Sequence, residues 1–205
     1  MRKLTFDEVL QEYSRGRRDF TDVDVVMNRD IDREEFIQIN LSGVDFRGGN
    51  LRFFWAYLGG RKGAGINLSG ANFSGLELTY QHFIGANLRG TAFQNAGLLG
   101  ADFSFADLTG ADLSGTDLEG TNFYKANLTG ASFRNVKIAH NSFIVSNLTD
   151  ADFRTNIPMK DVSFYECNLT RTNFIGIKGL KCGVGGINPK NTFFETVMPD
   201  GSIRN

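Results

Sequence analysis

The stretch Thr109–Phe123, TGADLSGTDLEGTNF, repeats one pattern three times. Each unit has a small residue, an Asp or Asn, a Leu or Phe, and then two polar or glycine residues. Stepping by five from Leu68 finds a large apolar residue at eighteen consecutive positions, ending at Phe153. A period of five fits neither an α-helix at 3.6 nor a strand at 2. The sequence therefore predicts a repeat architecture.

The apolar centres sort into four ladders if four units make one coil, because residues twenty apart then stack. Residues two before each centre, such as Ala71 and Ala86, are small and face inward with it. Opposite ladders match in size, which keeps the core evenly filled. The ladders are Leu68, Leu88, Leu108, Leu128 and Leu148; Phe73, Phe93, Phe133 and Phe153, interrupted by Leu113; Leu78, Leu98 and Leu118, then Ile138; and Phe83, Phe103, Phe123 and Phe143.

The units ANFSG, ANLRG, ADLTG, ADLSG, TDLEG and ANLTG resemble those of the pentapeptide-repeat family, over about residues 20–180. The resemblance implies an all-β fold, a right-handed quadrilateral parallel β-helix with four pentapeptides per coil. The segments EVLQEYSRGRRDF and MPDGSI, near the two ends, are similar to cyanobacterial members of the family. This similarity implies a bacterial cytosolic protein.

The irregular segments predict how the solenoid is divided and closed. Thr5 and Glu8 form a capping-box pattern, and the helical spacing after them predicts a short amphipathic α-helix over residues 6–15. We expect that helix to cover an open end that would otherwise invite stacking. The predicted parts are a capping helix and entry at 1–19, a β-helix at 20–180 that is regular from 66 to 155, a glycine-rich loop near 59–65, a one-residue offset near 155–156, and a C-terminal cap at 181–205.

Composition excludes several classes of protein. The formal net charge is −1, with 22 Lys and Arg against 23 Asp and Glu, which does not favour nucleic-acid binding. The N-terminal segment lacks the apolar run of a secretion signal, and no stretch approaches the roughly 20 apolar residues that cross a bilayer. We therefore expect a cytoplasmic protein that binds neither nucleic acid nor membrane.

The side chains that could support chemistry are predicted to lie apart. His82 and His140 fall on different walls, about three coils from each other, which argues against a shared metal ion. The five-residue spacing of Asp102, Asp107 and the following aspartates sends one carboxylate to each wall, so general acid–base catalysis is not favoured. The glycine-rich GGRKGAG lacks the Lys-Ser/Thr ending of a phosphate loop. The sequence predicts no enzyme activity, no cofactor and no metal.

Two cysteines leave two alternatives open. Cys167 occupies an inward position, which predicts a buried thiol. A disulfide between Cys167 and Cys182 would instead tie the glycine-rich tail to the last coil, although such a bond is less expected in a reducing cytosol.

Large apolar residues gather at the outward positions that follow one ladder. We call these six residues the apolar patch: Ile84, Phe105, Tyr124, Ile144, Val145 and Tyr165. Single surface apolar residues are common, but a contiguous group on one wall is typical of a binding or self-association surface. The patch predicts a protein partner of unknown identity, and the chain itself is expected to be a monomer or a weak homodimer.

Two functions compete at this level. The first is a non-enzymatic, rigid scaffold for protein–protein interaction, with a regulatory role. The alternative is a DNA-mimicking modulator of a type II topoisomerase such as gyrase, as some members of the family are. Outward positions between residues 66 and 155 carry eight acids and five bases, a net −3 that is weak for imitating duplex phosphates.

Overall fold

The structure is a computed structural model, and it describes residues 1–26, 28, 35, 39–49, 65–155, 157–180 and 187–205. Most of the chain runs through turns and single parallel β-bridges, so few segments are long enough to count as strands. In chain order the elements are β1 (Arg2–Thr5), α1 (Phe6–Ser14), β2 (Val23–Val26), β3 (Ser142–Ile144), β4 (Ser163–Tyr165), β5 (Thr196–Val197) and β6 (Ile203–Arg204).

The N-terminal end is closed by β1 and α1. Thr5 caps α1 and exchanges both bonds of a capping box with Glu8, as the sequence predicts. The helix ends at Ser14, with Arg15 as its C-cap, and its buried face carries Phe6 and Val9. Strand β1 pairs in parallel with β2. The repeat pattern did not indicate β1.

The repeat forms a column of stacked coils. Parallel bridges join residues twenty apart, and four such bridges fall within each twenty-residue coil. Four successive examples are Asn87↔Asp107, Ala92↔Asp112, Gly97↔Asp117 and Asp102↔Asn122. Backbone N–H groups donate to carbonyl oxygens of the adjacent coils, so the stack satisfies its backbone without long strands.

Phenylalanine rings form two stacks inside the column, and one of them is interrupted at Leu113. The rings of Phe83 and Phe103 are nearly parallel with centroids 4.8 Å apart, and those of Phe103 and Phe123 are 5.5 Å apart. The opposite ladder meets them edge-on, as between Phe93 and Phe103 at 5.8 Å. Edge-to-face and offset-stacked rings are the favoured aromatic geometries, so the sequence ladders become a dense, fully buried core.

Polar residues at some inward positions donate to the backbone of the preceding coil. Thr121 Oγ1 donates to Leu98 O at 3.0 Å, and Ser146 Oγ donates to Phe123 O at 2.6 Å. These hydroxyls therefore satisfy their hydrogen bonds inside an otherwise apolar column.

The step between bridged residues departs from twenty on both sides of the regular repeat. Asn40 pairs with Asn67, 67 − 40 = 27 residues later, which places seven extra residues between the two coils. Most of the glycine-rich loop expected near 59–65 lies outside the described residues. The step is 20 at Ser132↔Asp152 but 21 at Ala139↔Lys160, so one extra residue lies in an interval that includes Thr155.

The C-terminal end continues the column beyond the expected boundary at residue 180. Ile187, Thr192 and Val197 pair in parallel with Phe164, Asn168 and Asn173, so a further coil forms there. The antiparallel pair β5 and β6 follows. Irregular steps of 23 and 24 residues in this coil hide it from a five-residue search.

Candidate interaction surface

The apolar patch lies where the chain turns from one side of the column to the next. Its residues follow the buried ladder of Phe83, Phe103, Phe123, Phe143 and Phe164, either one position later or two. Ile84, Phe105 and Tyr124 are in turns, whereas Ile144 and Tyr165 end the paired strands β3 and β4. The patch therefore forms a strip along an edge of the column rather than covering a flat wall.

Patch residues on adjacent coils lie beside one another. The rings of Phe105 and Tyr124 meet edge-on with centroids 5.4 Å apart, and Ile144 is the register partner of Tyr165. This packing leaves five of the six residues half-buried, and only Val145 is more than a third exposed, at 40%. The patch thus includes one pair of rings that are already packed against each other.

The second outward position of each patch coil holds the backbone in the left-handed region. Phe105, Lys125, Val145 and Glu166 have φ of 61°, 55°, 56° and 53°. Non-glycine residues are uncommon at such angles, and a β-branched residue there is an outlier. Among these four residues Val145 is the β-branched one, and it is also exposed.

A second edge of the column provides the contrast. We call it the polar edge, and it carries the residues that follow the Leu68 ladder. They are Ser69, Arg89, Thr109, Thr129, Thr149 and Thr170 at the first position, and Gly70, Gly90, Gly110, Gly130, Asp150 and Arg171 at the second. Glycine adopts positive φ without a Cβ clash, so most of these turns are unstrained.

Hydrogen bonds along the polar edge are largely internal. Thr129 Oγ1 donates to Asn127 Oδ1 at 2.7 Å and accepts from Asn147 Nδ2 at 2.9 Å. Asp107 accepts bonds from Thr109 and from Arg89. Burial acts to raise the pKa of Asp107, but these bonds outweigh it and lower that pKa.

Two lysines lie over the aromatic rings of the patch. Lys125 Nζ is 5.2 Å from the ring centroid of Tyr124 and 5.9 Å from that of Phe105. No carboxylate in the described part of the chain lies within ion-pair distance of Lys125. Lys190 Nζ donates to the Tyr165 hydroxyl at 2.9 Å, a bond that raises the pKa of Lys190, and lies 3.6 Å from Glu166.

Several surface carboxylates elsewhere are paired with bases. Asp152 contacts Arg134 at 2.5 Å and Arg154 at 2.7 Å, and Lys137 contacts Asp117 at 2.7 Å. Burial acts to raise the pKa of Asp152, but hydrogen bonds from Arg154 and Arg134 outweigh it and lower the pKa to about 2. Of the eight outward acids between residues 66 and 155, five are paired with bases: Asp107, Asp117, Glu119, Asp150 and Asp152.

The two histidines belong to the surface of the column. No group of three His, Cys, Asp or Glu side chains there could hold a metal ion. His82 and His140 are both exposed, and His140 lies 3.6 Å from Asp161. A depression of about 320 Å³ is lined by Asn135, Arg154, Thr155, Ile175 and Gly176, with no histidine or carboxylate among them.

Cys167 is a free, buried thiol, which agrees with the buried-thiol alternative from the sequence. Its Sγ donates to Phe143 O at 3.1 Å, in the manner of the inward hydroxyls of other coils. Burial raises the pKa of Cys167 to about 11, so the thiolate that reacts is disfavoured. Cys182 lies outside the described residues.

Five exposed apolar residues were missed, four of them because they lie outside the regular repeat. Ile157, Ile175, Phe194 and Ile203 are all exposed near the C-terminal end of the column. Tyr80 is exposed at a left-handed turn and covers Gly100 of the next coil. Sorting outward positions across the register change at Thr155 would have found Ile175, whereas Phe194 and Ile203 follow irregular coil steps.

No helix in the described residues is long and apolar enough to cross a membrane.

Comparison with known proteins identifies the repeat. A family model described as pentapeptide repeats matches the chain in eight copies, over residues 52–90, 66–103 and 101–138. No curated protein matches the chain.

Solved structures with similar chains differ widely in identity. HetL, a pentapeptide repeat protein involved in heterocyst differentiation regulation from the cyanobacterium Nostoc sp. strain PCC 7120, is 21% identical over 98% of this chain and 100% of its own, with a TM-score of 0.37. The pentapeptide repeat protein AT2G44920 from the Arabidopsis thaliana thylakoid lumen is 37% identical over 54% of this chain and 66% of its own, with a TM-score of 0.26. QnrB1, a plasmid-mediated fluoroquinolone resistance protein, is 17% identical over 84% of this chain and 80% of its own, with a TM-score of 0.48.

Proposed function

Since this chain belongs to the pentapeptide-repeat family, we propose that it is a non-enzymatic scaffold that binds a protein through its apolar patch. The column is a right-handed quadrilateral β-helix in this proposal, and its role is regulatory. A cytoplasmic location stays a prediction from the sequence.

The observation that carries the proposal is the conformation of Val145. This residue is 40% exposed and left-handed at φ 56°. At the same second position, the polar edge has glycine in four coils. Selection for stability alone favours glycine or asparagine at such an angle, so an exposed valine argues for a binding role.

The surrounding contacts support the same function. The Phe105 and Tyr124 rings are already packed against each other, so little side-chain freedom is lost when a partner covers them. Tyrosine is enriched among the residues that dominate binding energy. A rigid column also presents these residues at a fixed spacing from coil to coil.

Ion pairing disfavours the DNA-mimic alternative. Arg134 and Arg154 lie against Asp152, and Lys137 lies against Asp117, which neutralises part of the charge that would imitate phosphates. Absence of any effect on gyrase supercoiling at micromolar protein is the expected result. Inhibition or protection of gyrase that depends on Asp117 and Asp152 would reverse this preference.

The scaffold proposal is tested by comparing two double variants on the same coils. The first, Y124E/I144E, places charges in the apolar patch. The second, T129E/T149E, places them at the same turn position on the polar edge. We expect host proteins retained by the wild-type chain to be retained by T129E/T149E and lost from Y124E/I144E, with all three chains giving the same circular dichroism. Equal retention by both variants would exclude the patch as the binding surface.

A further inference from the structure

Three successive coils give the apolar patch and its neighbours two short rows of outward side chains. The coils are bonded to each other, since Lys125 N–H donates to Ile144 O and Val145 N–H donates to Tyr165 O, both at 2.9 Å. From coil to coil, the first row is Tyr124, Ile144, Tyr165, and the second row is Lys125, Val145, Glu166.

Both rows are self-complementary when their order is reversed about the middle coil. Reversal exchanges Tyr124 with Tyr165 and leaves Ile144 in place. It also exchanges Lys125 with Glu166, a cation with an anion. A two-fold axis that crosses the patch at the middle coil, perpendicular to the column, reverses the coils of a second copy and keeps each row opposite the same row.

We propose that the partner of the apolar patch is a second copy of this chain, bound antiparallel about this axis. The inference rests on the proposed function, because it names the occupant of the same surface. Val145 then meets the second copy's Val145 on the axis, where its exposed methyl groups are covered.

Charge selects the antiparallel arrangement. It brings Lys125 of each copy to Glu166 of the other, which makes two ion pairs per dimer. A parallel arrangement would place the two Lys125 side chains together, and their positive charges would repel each other. Lys125 has no carboxylate of its own in the described residues, and the contact of Glu166 with Lys190 is exposed and 3.6 Å long, so Glu166 can accept a second cation.

The next coil outward is also complementary. Phe105 falls opposite the second copy's Lys190, one coil beyond the charged pair on each side. Within a single chain, Lys190 already lies 5.2 Å from the ring centroid of Tyr165, so its side chain is placed for contact with aromatic faces. A cation over the Phe105 ring would extend the interface to five coils.

The size of the strip indicates a weak dimer. Five coils at the strand spacing of about 4.8 Å span roughly 24 Å along the column. A strip two residues wide over that length is smaller than a standard stable interface, so we expect association in the micromolar to millimolar range. Exposed ion pairs contribute to it, and added salt therefore weakens it.

Charge reversal tests the arrangement. Sedimentation equilibrium up to about 1 mM protein is expected to show reversible dimers of the wild-type chain. K125E and E166K should each weaken dimerisation about tenfold, and the double variant K125E/E166K should recover to within about threefold of wild type. A wild-type chain that stays monomeric, or a double variant as weak as either single one, would overturn the inference.

Cross-linking locates the axis. In a chain with Cys182→Ser, the buried Cys167 does not compete, and V145C should form an intermolecular disulfide faster than K125C or the polar-edge control T149C. Fastest coupling of K125C to itself would instead indicate the parallel arrangement and contradict the proposal.

The two proposals fail separately. If the wild-type chain is monomeric but the Y124E/I144E variant still loses host proteins, the second-copy inference is wrong and the scaffold function stands. A chain that neither dimerises nor loses any partner in that variant overturns both.

Discussion

The apolar patch and the polar edge both include the second residue after a buried ladder residue, where the backbone is left-handed. The two edges carry different residue types at that position. Gly110 and Gly130 on the polar edge adopt φ near 67° with no atom within 4 Å of an added Cβ. Phe105 and Val145 adopt similar angles with large side chains. The left-handed turn is therefore a property of the coil, and the side chain on it is free to serve another purpose.

The largest expected effect concerns the core that both edges share. Phe143→Ala should lower the free energy of unfolding by about 3–5 kcal/mol, because it opens a cavity between the rings of Phe123 and Phe164. Leu148→Ala, beneath the polar edge, should cost about 2–5 kcal/mol. Urea denaturation measures both. A patch substitution such as Tyr124→Ala with a cost equal to that of Phe143→Ala would show that the patch is structural.

The next largest effect is expected from a substitution that introduces backbone strain on the polar edge. Gly130→Val should lower the free energy of unfolding by about 1–2 kcal/mol through backbone strain alone, since space for the side chain is open. Thermal unfolding of Gly130→Val and Gly130→Asn compares the two, with the asparagine variant closer to wild type. Equal stability of all three chains would mean that the turn angle relaxes without cost.

The reverse change should relieve backbone strain in the apolar patch. Val145→Gly and Val145→Asn are expected to keep or raise the free energy of unfolding, by up to about 1 kcal/mol, because both residues tolerate positive φ. Binding to the partner should weaken in the same variants. A destabilised Val145→Asn chain would contradict the argument that Val145 is retained for binding.

The smallest effect is the pH dependence of the polar edge. The pKa of Asp107 is lowered in the folded chain, so its contribution is present above the unfolded pKa and is lost as pH falls through the folded one. Asp107→Asn should flatten the loss of stability in that acid range by about a few tenths of a kcal/mol, since its pair with Arg89 is solvent-exposed. Thr129→Val, an uncharged change on the same edge, should leave the pH profile parallel to that of wild type.

Much of the fold follows from the five-residue period because each coil repeats the same local geometry. The ladders of Phe83 and Leu68 and the capping box of Thr5 and Glu8 are all local patterns, and the structure contains each of them. Pairing of β1 with β2 was not predictable in this way, since it joins an irregular N-terminal segment to the first coil. The coil through Ile187 was likewise hidden by its uneven spacing.

For the candidate site, the sequence supplied the six residues of the apolar patch but not their environment. Stepping by five shows that Tyr124 and Ile144 follow successive coils. It does not show that Phe105 is half-buried against Tyr124, or that Lys125 lies over both rings. Those contacts depend on side-chain directions between coils, which a one-dimensional pattern does not contain.

The sequence by itself determined the period, the inward ladders and the helical cap, because a five-residue apolar period fits neither a helix nor a strand and the capping box is a local pattern. Tertiary structure alone decided that the patch lies on turns, that Val145 is the exposed member, and that Lys125 lacks a carboxylate in the described residues. The physical reason is that exposure, backbone strain and charge pairing arise between coils, among residues twenty or more positions apart.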